Sequence, residues 1–184
     1  MFHILLNCAL LIFWIGIMFL YLRFKLTKSR LGAGLIGLVV GVLALFSDGL
    51  VYFFLLTPMG FKSTDWSYKV IAAPVLEESL KFLFIFLIAW KCKTISPEIM
   101  VFGGSTGIGF AFLENFLGAS NTRAMLFRGF VPMPFHIATT LFYSFVISNF
   151  LTQKRSIAWM IALFLMTIVI HGMLNYILLL VGVG

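Results

Sequence analysis

Six side chains able to act as acids, bases or metal ligands stand in stretches that are otherwise apolar. Glu77, Glu78 and Lys81 fall within VIAAPVLEESLKFLFIFLIAW, Glu114 within GFAFLENFLG and His171 within LMTIVIHGMLNY, and His136 opens a further apolar run. A charge at the centre of a bilayer costs about 2.5–3.5 kcal/mol even on lenient insertion scales, so such residues persist where they face a bundle interior or a wet cavity. A carboxylate stripped of water binds a proton more readily, which suits a general base. Glu77 and Lys81 are spaced i,i+4 and Glu78 and Lys81 i,i+3, so one lysine can partner either acid. The two glutamates point about 100° apart on a helix. The expectation is that Glu77 pairs with Lys81 while Glu78 faces the cavity and holds a water. His171 and Asn175 are also i,i+4, so the amide can orient the imidazole, or both can donate to a developing oxyanion. Phe110 shares a face with Glu114, where its ring would wall the acid from lipid.

The elements that must position these groups are membrane helices. The chain has 184 residues, 62% of them hydrophobic and 10% charged, with a mean hydropathy of +1.11. A soluble globule is nearer ~45–50% apolar. The apolar runs are continuous, which excludes the alternation of a β-barrel. The fold expected is all-α, a polytopic bundle of about six transmembrane helices forming a single domain over residues 1–184. The spans fall at about 2–22, 31–56, 70–90, 99–120, 133–151 and 156–180, each near the ~20 residues a crossing needs. The first, lacking a basic leader, reads as a retained span. Pro in VPMPFH (131–136) marks an irregular entry into the fifth. Gly37/Gly41 and Gly103/Gly107 have the GxxxG spacing that lets helices approach closely. Cys8 and Cys92 read as free thiols.

The net charge of +7 does not indicate nucleic acid, because the basic residues flank the apolar runs in short clusters. Arg23, Lys25, Lys28, Arg30, Lys91, Lys93, Lys154 and Arg155 lie in alternate loops, against Lys62, Lys69, Arg123 and Arg128 in the others. That bias puts the first group in the cytoplasm and both termini outside. Counting along each helix from the outer edge then places Glu77 and Glu78 roughly 10–12 Å deep, Glu114 about 9 Å, Asn175 about 8 Å, His171 about 14 Å and Asp48 about 12 Å, with His136 shallower. Polar groups from five segments share one slab, and the inner half has almost none. Each has a plain structural reading alone: a Glu–Lys pair as interhelical glue, Glu114 as a hydrogen-bonded acid, His171 as a packing histidine, His136 as a solvated one. Their common depth points to one hydrated cavity open to the outer face.

E77-E78-S-L-K81 resembles the EExxK signature of the PrsW-type intramembrane peptidases, and F110-A-F-L-E114-N115 resembles their FxxxEN signature. His136 opening HIATT, and H171-G-M-L-N175 as HxxxN, match the third and fourth motifs, in order and over about residues 70–176. That family is related to the CAAX-protease and bacteriocin-processing superfamily. The resemblance implies a multi-pass cell-membrane endopeptidase that cleaves a membrane-anchored protein, such as an anti-sigma factor, within the bilayer. It assigns Glu77, Glu78, Glu114, His136, His171 and Asn175 to the reaction, with Lys81, Asn115 and Phe110 in support. Two chemistries fit. A glutamate activates water without a cofactor, or Zn²⁺ does so, held by Glu78, Glu114, His136 and His171. No HExxH decides between them. A small transporter with the glutamates as a proton relay, or a non-catalytic membrane scaffold, would use the same fold. A pore needs polar groups in both leaflets.

Overall fold

In the computed structural model, which describes residues 2–21, 27–92, 97–119, 121–153 and 156–182, six long helices and one short one form a bundle, with no strand among the described residues. The long helices are α1 (Phe2–Tyr21), α2 (Lys28–Val51), α3 (Ala73–Cys92), α4 (Pro97–Gly118), α6 (Pro132–Gln153) and α7 (Ile157–Leu180). They follow the six expected spans. Five of the stretches are long and apolar enough to cross a membrane, and α3 is the exception. Its 20 residues suffice in length, but they carry Glu77, Glu78 and Lys81. The protein is a multi-pass membrane protein, and α3 lies inside its bundle with those three side chains turned away from lipid. The loop residues Arg23, Lys25, Lys93, Lys154 and Arg155, and the side chain of Cys92, lie outside the described residues.

Two features were not expected. Turns of π-helix, Tyr52–Leu56 and Tyr68–Ala72, end α2 and precede α3, and the rings of Tyr52 and Tyr68 meet across them at 4.7 Å. The stretch expected as a plain loop after α4 contains α5 (Thr122–Phe130), whose first turn is capped by Asn121: the Ala124 N–H donates to its Oδ1 at 2.9 Å. Pro132 is then the first residue of α6, where its missing N–H costs nothing.

The core sits around α4. From Val101 to Ala111 every residue of this helix is buried, and α1, α2 and α6 pack on it through its small residues. A Cβ on Gly41 of α2 would lie 2.1 Å from the Thr106 carbonyl oxygen, and one on Gly107 of α4 would lie 2.5 Å from that of His136. These backbones touch where the GxxxG spacings place them, and the second contact sets His136 against the middle of the bundle. The outward faces of α1, α2 and α7 present large apolar side chains such as Ile12, Leu20, Leu35, Val39, Val169 and Leu180.

Any side chain at Gly41 must push α2 off α4. Gly41→Leu is expected to lower stability by at least about 1–3 kcal/mol, read as a lower melting temperature in detergent. Gly32→Ala, with nothing within 4 Å of the added carbon, should melt like the parent. Equal melting of the two variants would refute the helix packing described.

Candidate functional site

At one end of the bundle, below the connection 57–67 and α5, five helices deliver polar side chains to a common point. The innermost is the Lys81–Glu78 pair on α3. Both side chains are wholly buried, with Nζ 2.5 Å from Glu78 Oε1. Glu78 takes two further donors. The Tyr143 hydroxyl of α6 donates to Oε2 at 2.7 Å, and Nδ1–H of His171 on α7 donates to Oε1 at 2.7 Å. Tyr143 is held in turn by a close contact with the Thr167 hydroxyl. Three donors fill most of the acceptor capacity of this wholly buried carboxylate, and they fix the lysine, the tyrosine and the imidazole against one another.

Lys81 also fixes the second histidine. An ammonium has only hydrogens to offer, so His136 Nδ1, 2.8 Å from Nζ, must accept. Nε2 then carries the ring proton and donates to Glu114 Oε2 on α4 at 2.9 Å. The other oxygen of Glu114 accepts from Arg128 of α5 at 2.5 Å. An unbroken chain thus runs Arg128–Glu114–His136–Lys81–Glu78–His171. Phe110 lies beneath it, its ring 4.5 Å from Lys81 Nζ and 5.1 Å from the His136 ring. It is fully buried at the bundle centre and does not stand between Glu114 and lipid as expected.

The chain borders a cavity of about 180 Å³. Glu77, Glu114, Arg128, His136, Asn175 and Tyr68 are among its lining residues; Glu78 and His171 lie behind that wall. Glu77 Oε2 is buried without a hydrogen-bond partner and lies 3.7 Å from His171 Nε2. Because Glu78 holds the proton of His171 on Nδ1, Nε2 presents a lone pair to Glu77. Two acceptors at that spacing suit a water that donates one hydrogen to each.

Several expectations are corrected. Lys81 pairs with Glu78 and not with Glu77, and Glu77 is the acid that lines the cavity. The closer partner wins because i,i+3 brings Lys81 to the acid that Tyr143 and His171 also reach. Asn175 does not orient His171, since Glu78 does. The Asn175 amide donates instead to the Lys69 carbonyl at 2.9 Å, which leaves one N–H toward the cavity. Asn115 faces away from the cavity: it donates to Asn7 Oδ1 at 2.9 Å and to the Met125 carbonyl at 3.3 Å, tying α1 and α5 to α4. The inner half is not bare of polar groups either, for Thr140, Ser144 and Ser148 continue the His136 face of α6. Thr140 and Ser144 are packed on α4, against Gly107 and Gly103.

Tyr143, Thr167 and Arg128 were missed. Arg128 read only as a loop charge, because α5 was not foreseen. Tyr143 could have been found, since it lies two turns from His136 on one helical face.

The residues present also fit a metal ion. Glu77, His136 and His171 each offer a ligand atom, and these atoms lie within 4.8 Å of one another. This set shares the two histidines of the expected one, with Glu77 where Glu78 and Glu114 were expected; the oxygens of those two acids already accept hydrogen bonds. Two imidazoles and a carboxylate are the donor set of one class of catalytic zinc sites, and the Glu78 carboxylate on His171 Nδ1–H is the outer-shell partner such a ligand takes. Asp48, buried on α2 with Oδ1 unpartnered, is in electrostatic reach of Glu114 and Lys81. Asp48, Glu77, Glu78 and Glu114 face Lys81 and Arg128, with Lys69 also on the cavity wall. Both nitrogens of His136 are bonded within the protein, so binding a metal there would displace Lys81 or Glu114.

The PrsW family intramembrane metalloprotease profile matches residues 26–184, and the chain belongs to that family. The match takes in α2 as well as the motif-bearing helices. No curated protein and no solved structure matches the chain. Membership makes the protein a hydrolase of the intramembrane protease class, whose setting is lipid and whose substrates are proteins.

Breaking the buried pair should be costly. Lys81→Met strands the Glu78 charge and is expected to lose about 3–5 kcal/mol, seen as little folded protein in size-exclusion profiles. Glu77→Gln touches no ion pair of Lys81 and should be recovered at the parental level. Parental yield of Lys81→Met would contradict the network.

Proposed function

We propose that this member of the PrsW family is an endopeptidase that uses Glu77 on a water in the cavity to cut a membrane-anchored protein. A single-span regulator such as an anti-sigma factor is the substrate class the family resemblance implies. The observation that carries the reading is the buried, unpartnered Oε2 of Glu77, 3.7 Å from Nε2 of His171.

The residues divide the work by what they can reach. Glu77 takes a proton from the water as its oxygen adds to the scissile carbonyl carbon, and His171 Nε2 holds the same water in line. The carbonyl oxygen gains negative charge. Arg128 and the second amide hydrogen of Asn175 line the cavity and are the donors placed to receive it. When the C–N bond breaks, Glu77 returns the proton to the departing amine. Glu78, Lys81 and Tyr143 are positioning residues, which keep His171 in the tautomer that offers Nε2. Glu114 accepts the Nε2–H of His136, which turns His136 Nδ1 to Lys81, and it anchors Arg128.

A Zn²⁺ held by Glu77, His136 and His171 would supply Lewis acidity and a more acidic water at the same place. Glu77 would then be a ligand and not the base, so metal dependence and the identity of the base are one question. In the topology read from loop charges, the cavity opens to the outer face of the cell membrane.

Three outcomes test the proposal. Glu77→Gln should cut cleavage of tagged single-span reporters by ~10²-fold or more with the folded yield unchanged; full cleavage would remove the peptidase reading at this site. Zinc measured in the purified protein should fall with His171→Ala if the metal branch holds, and cleavage should stop with a chelator and return with zinc. Chelator-resistant cleavage by zinc-free protein would leave Glu77 as the base. Lys28→Cys should be labelled from the cytoplasmic side, and labelling from outside alone would invert the topology.

A further inference from the structure

Beside the cavity lies a second depression of different character, a groove of about 460 Å³ on the flank of the bundle. One wall is the π-helical turn Tyr68–Ala72 with the start of α3, and the other is α7. Val70, Ile71, Val75, Val169 and Met173 line it, and no charged residue does. Val169 and Met173 are 60% and 61% exposed, so the groove opens toward lipid.

The partition between groove and cavity is one backbone thick. Lys69 and Asn175 line the cavity, while their neighbours Val70 and Tyr176 line the groove. The Asn175 amide holds the Lys69 carbonyl at 2.9 Å. One turn back on α7, Gly172 meets the Val70 carbonyl so closely that a Cβ would lie 2.5 Å from it. His171, which faces Glu77, is the residue before that glycine. Tyr68–Ala72 is a single π-turn, a feature frequent at functional sites.

Resting on the peptidase reading above, we propose that this groove docks the membrane-spanning segment of the substrate, and that Lys69–Val70 is the gate across which its end reaches Glu77. The occupant must arrive from lipid and be apolar along its length, which a lipid chain and a transmembrane segment both satisfy. Only the segment carries a peptide bond, and only it has use for a path that ends one backbone away from Glu77 and His171. Asn175 is thereby a latch as well as a cavity donor.

The test uses a tagged reporter with one apolar span of ~20 residues, co-expressed with the full chain. A photocrosslinking p-benzoylphenylalanine is placed at Val75 or Val169, or at Ile12 on the lipid face of α1, in the Glu77→Gln background that retains uncut reporter. Crosslinks to the reporter are expected from positions 75 and 169 and not from 12. In the otherwise unaltered protein, Val169→Trp should fill the groove and lower reporter cleavage about tenfold, the loss typical of a central docking contact, at parental folded yield. Cleavage by the parent with crosslinks to phospholipid alone, or with full activity in Val169→Trp, would overturn the docking site and leave the peptidase standing. Groove crosslinks to a reporter that the parent never cuts would support docking and reject the peptidase. With neither capture nor cleavage, both fall.

Discussion

The Lys81–Glu78 pair is the constraint on which the rest of the site depends. Two opposite charges are removed from water altogether, and such a pair is tolerated only where further hydrogen bonds fill the remaining donors and acceptors. Here those bonds come from α6 and α7: Tyr143 and His171 complete Glu78, and His136 takes a second hydrogen from Lys81. Satisfying one pair therefore fixes two helices, α6 and α7, against α3. It also decides the chemistry. With Glu78 consumed by its donors, its neighbour Glu77 is left to face the cavity, and His171 is left with its lone pair toward Glu77.

Close helix packing makes that convergence geometrically available. Polar groups of ordinary length meet at the centre only because α4 is thin. Its glycines admit the backbones of α2 and α6, and Gly107 lies against the carbonyl of His136. The hydrogen bonds of Asn7, Asn115 and Trp14, the last donating to the Gly129 carbonyl at 2.8 Å, draw α1 and α5 over the same end. Arg128 is thereby carried to Glu114. Packing of small residues and satisfaction of buried charge are thus one design, in which neither could be relaxed without the other.

Much of this was legible in the sequence, and the exceptions are instructive. Helix number and extent follow from apolar runs bounded by charge, a signal that survives in α3 despite its acids. The meeting of Glu77, Glu78, Glu114, His136 and His171 follows from their common depth and from the motif order. Which of two adjacent glutamates takes Lys81 could not be read, because i,i+3 and i,i+4 are both permitted and the choice is made by Tyr143 and His171 from other helices. Asn175 was misassigned for a similar reason: its i,i+4 relation to His171 is real, yet the Lys69 carbonyl, freed at a π-turn, competes for the amide. α5 was overlooked because nine residues with two arginines carry a weak apolar signal, although Asn121 marks its start.

The central claim is that Lys81 and Glu78 stabilise the bundle as a pair and not separately. A double-mutant cycle of Lys81→Met, Glu78→Leu and the combination, followed by thermal unfolding in detergent, measures this directly. Each single change should strand a buried charge and lose about 3–5 kcal/mol, while the double variant, with no charge left unpaired, should recover most of that loss. Additive losses in the double variant would mean that the two residues act independently, and the network built on them would not hold.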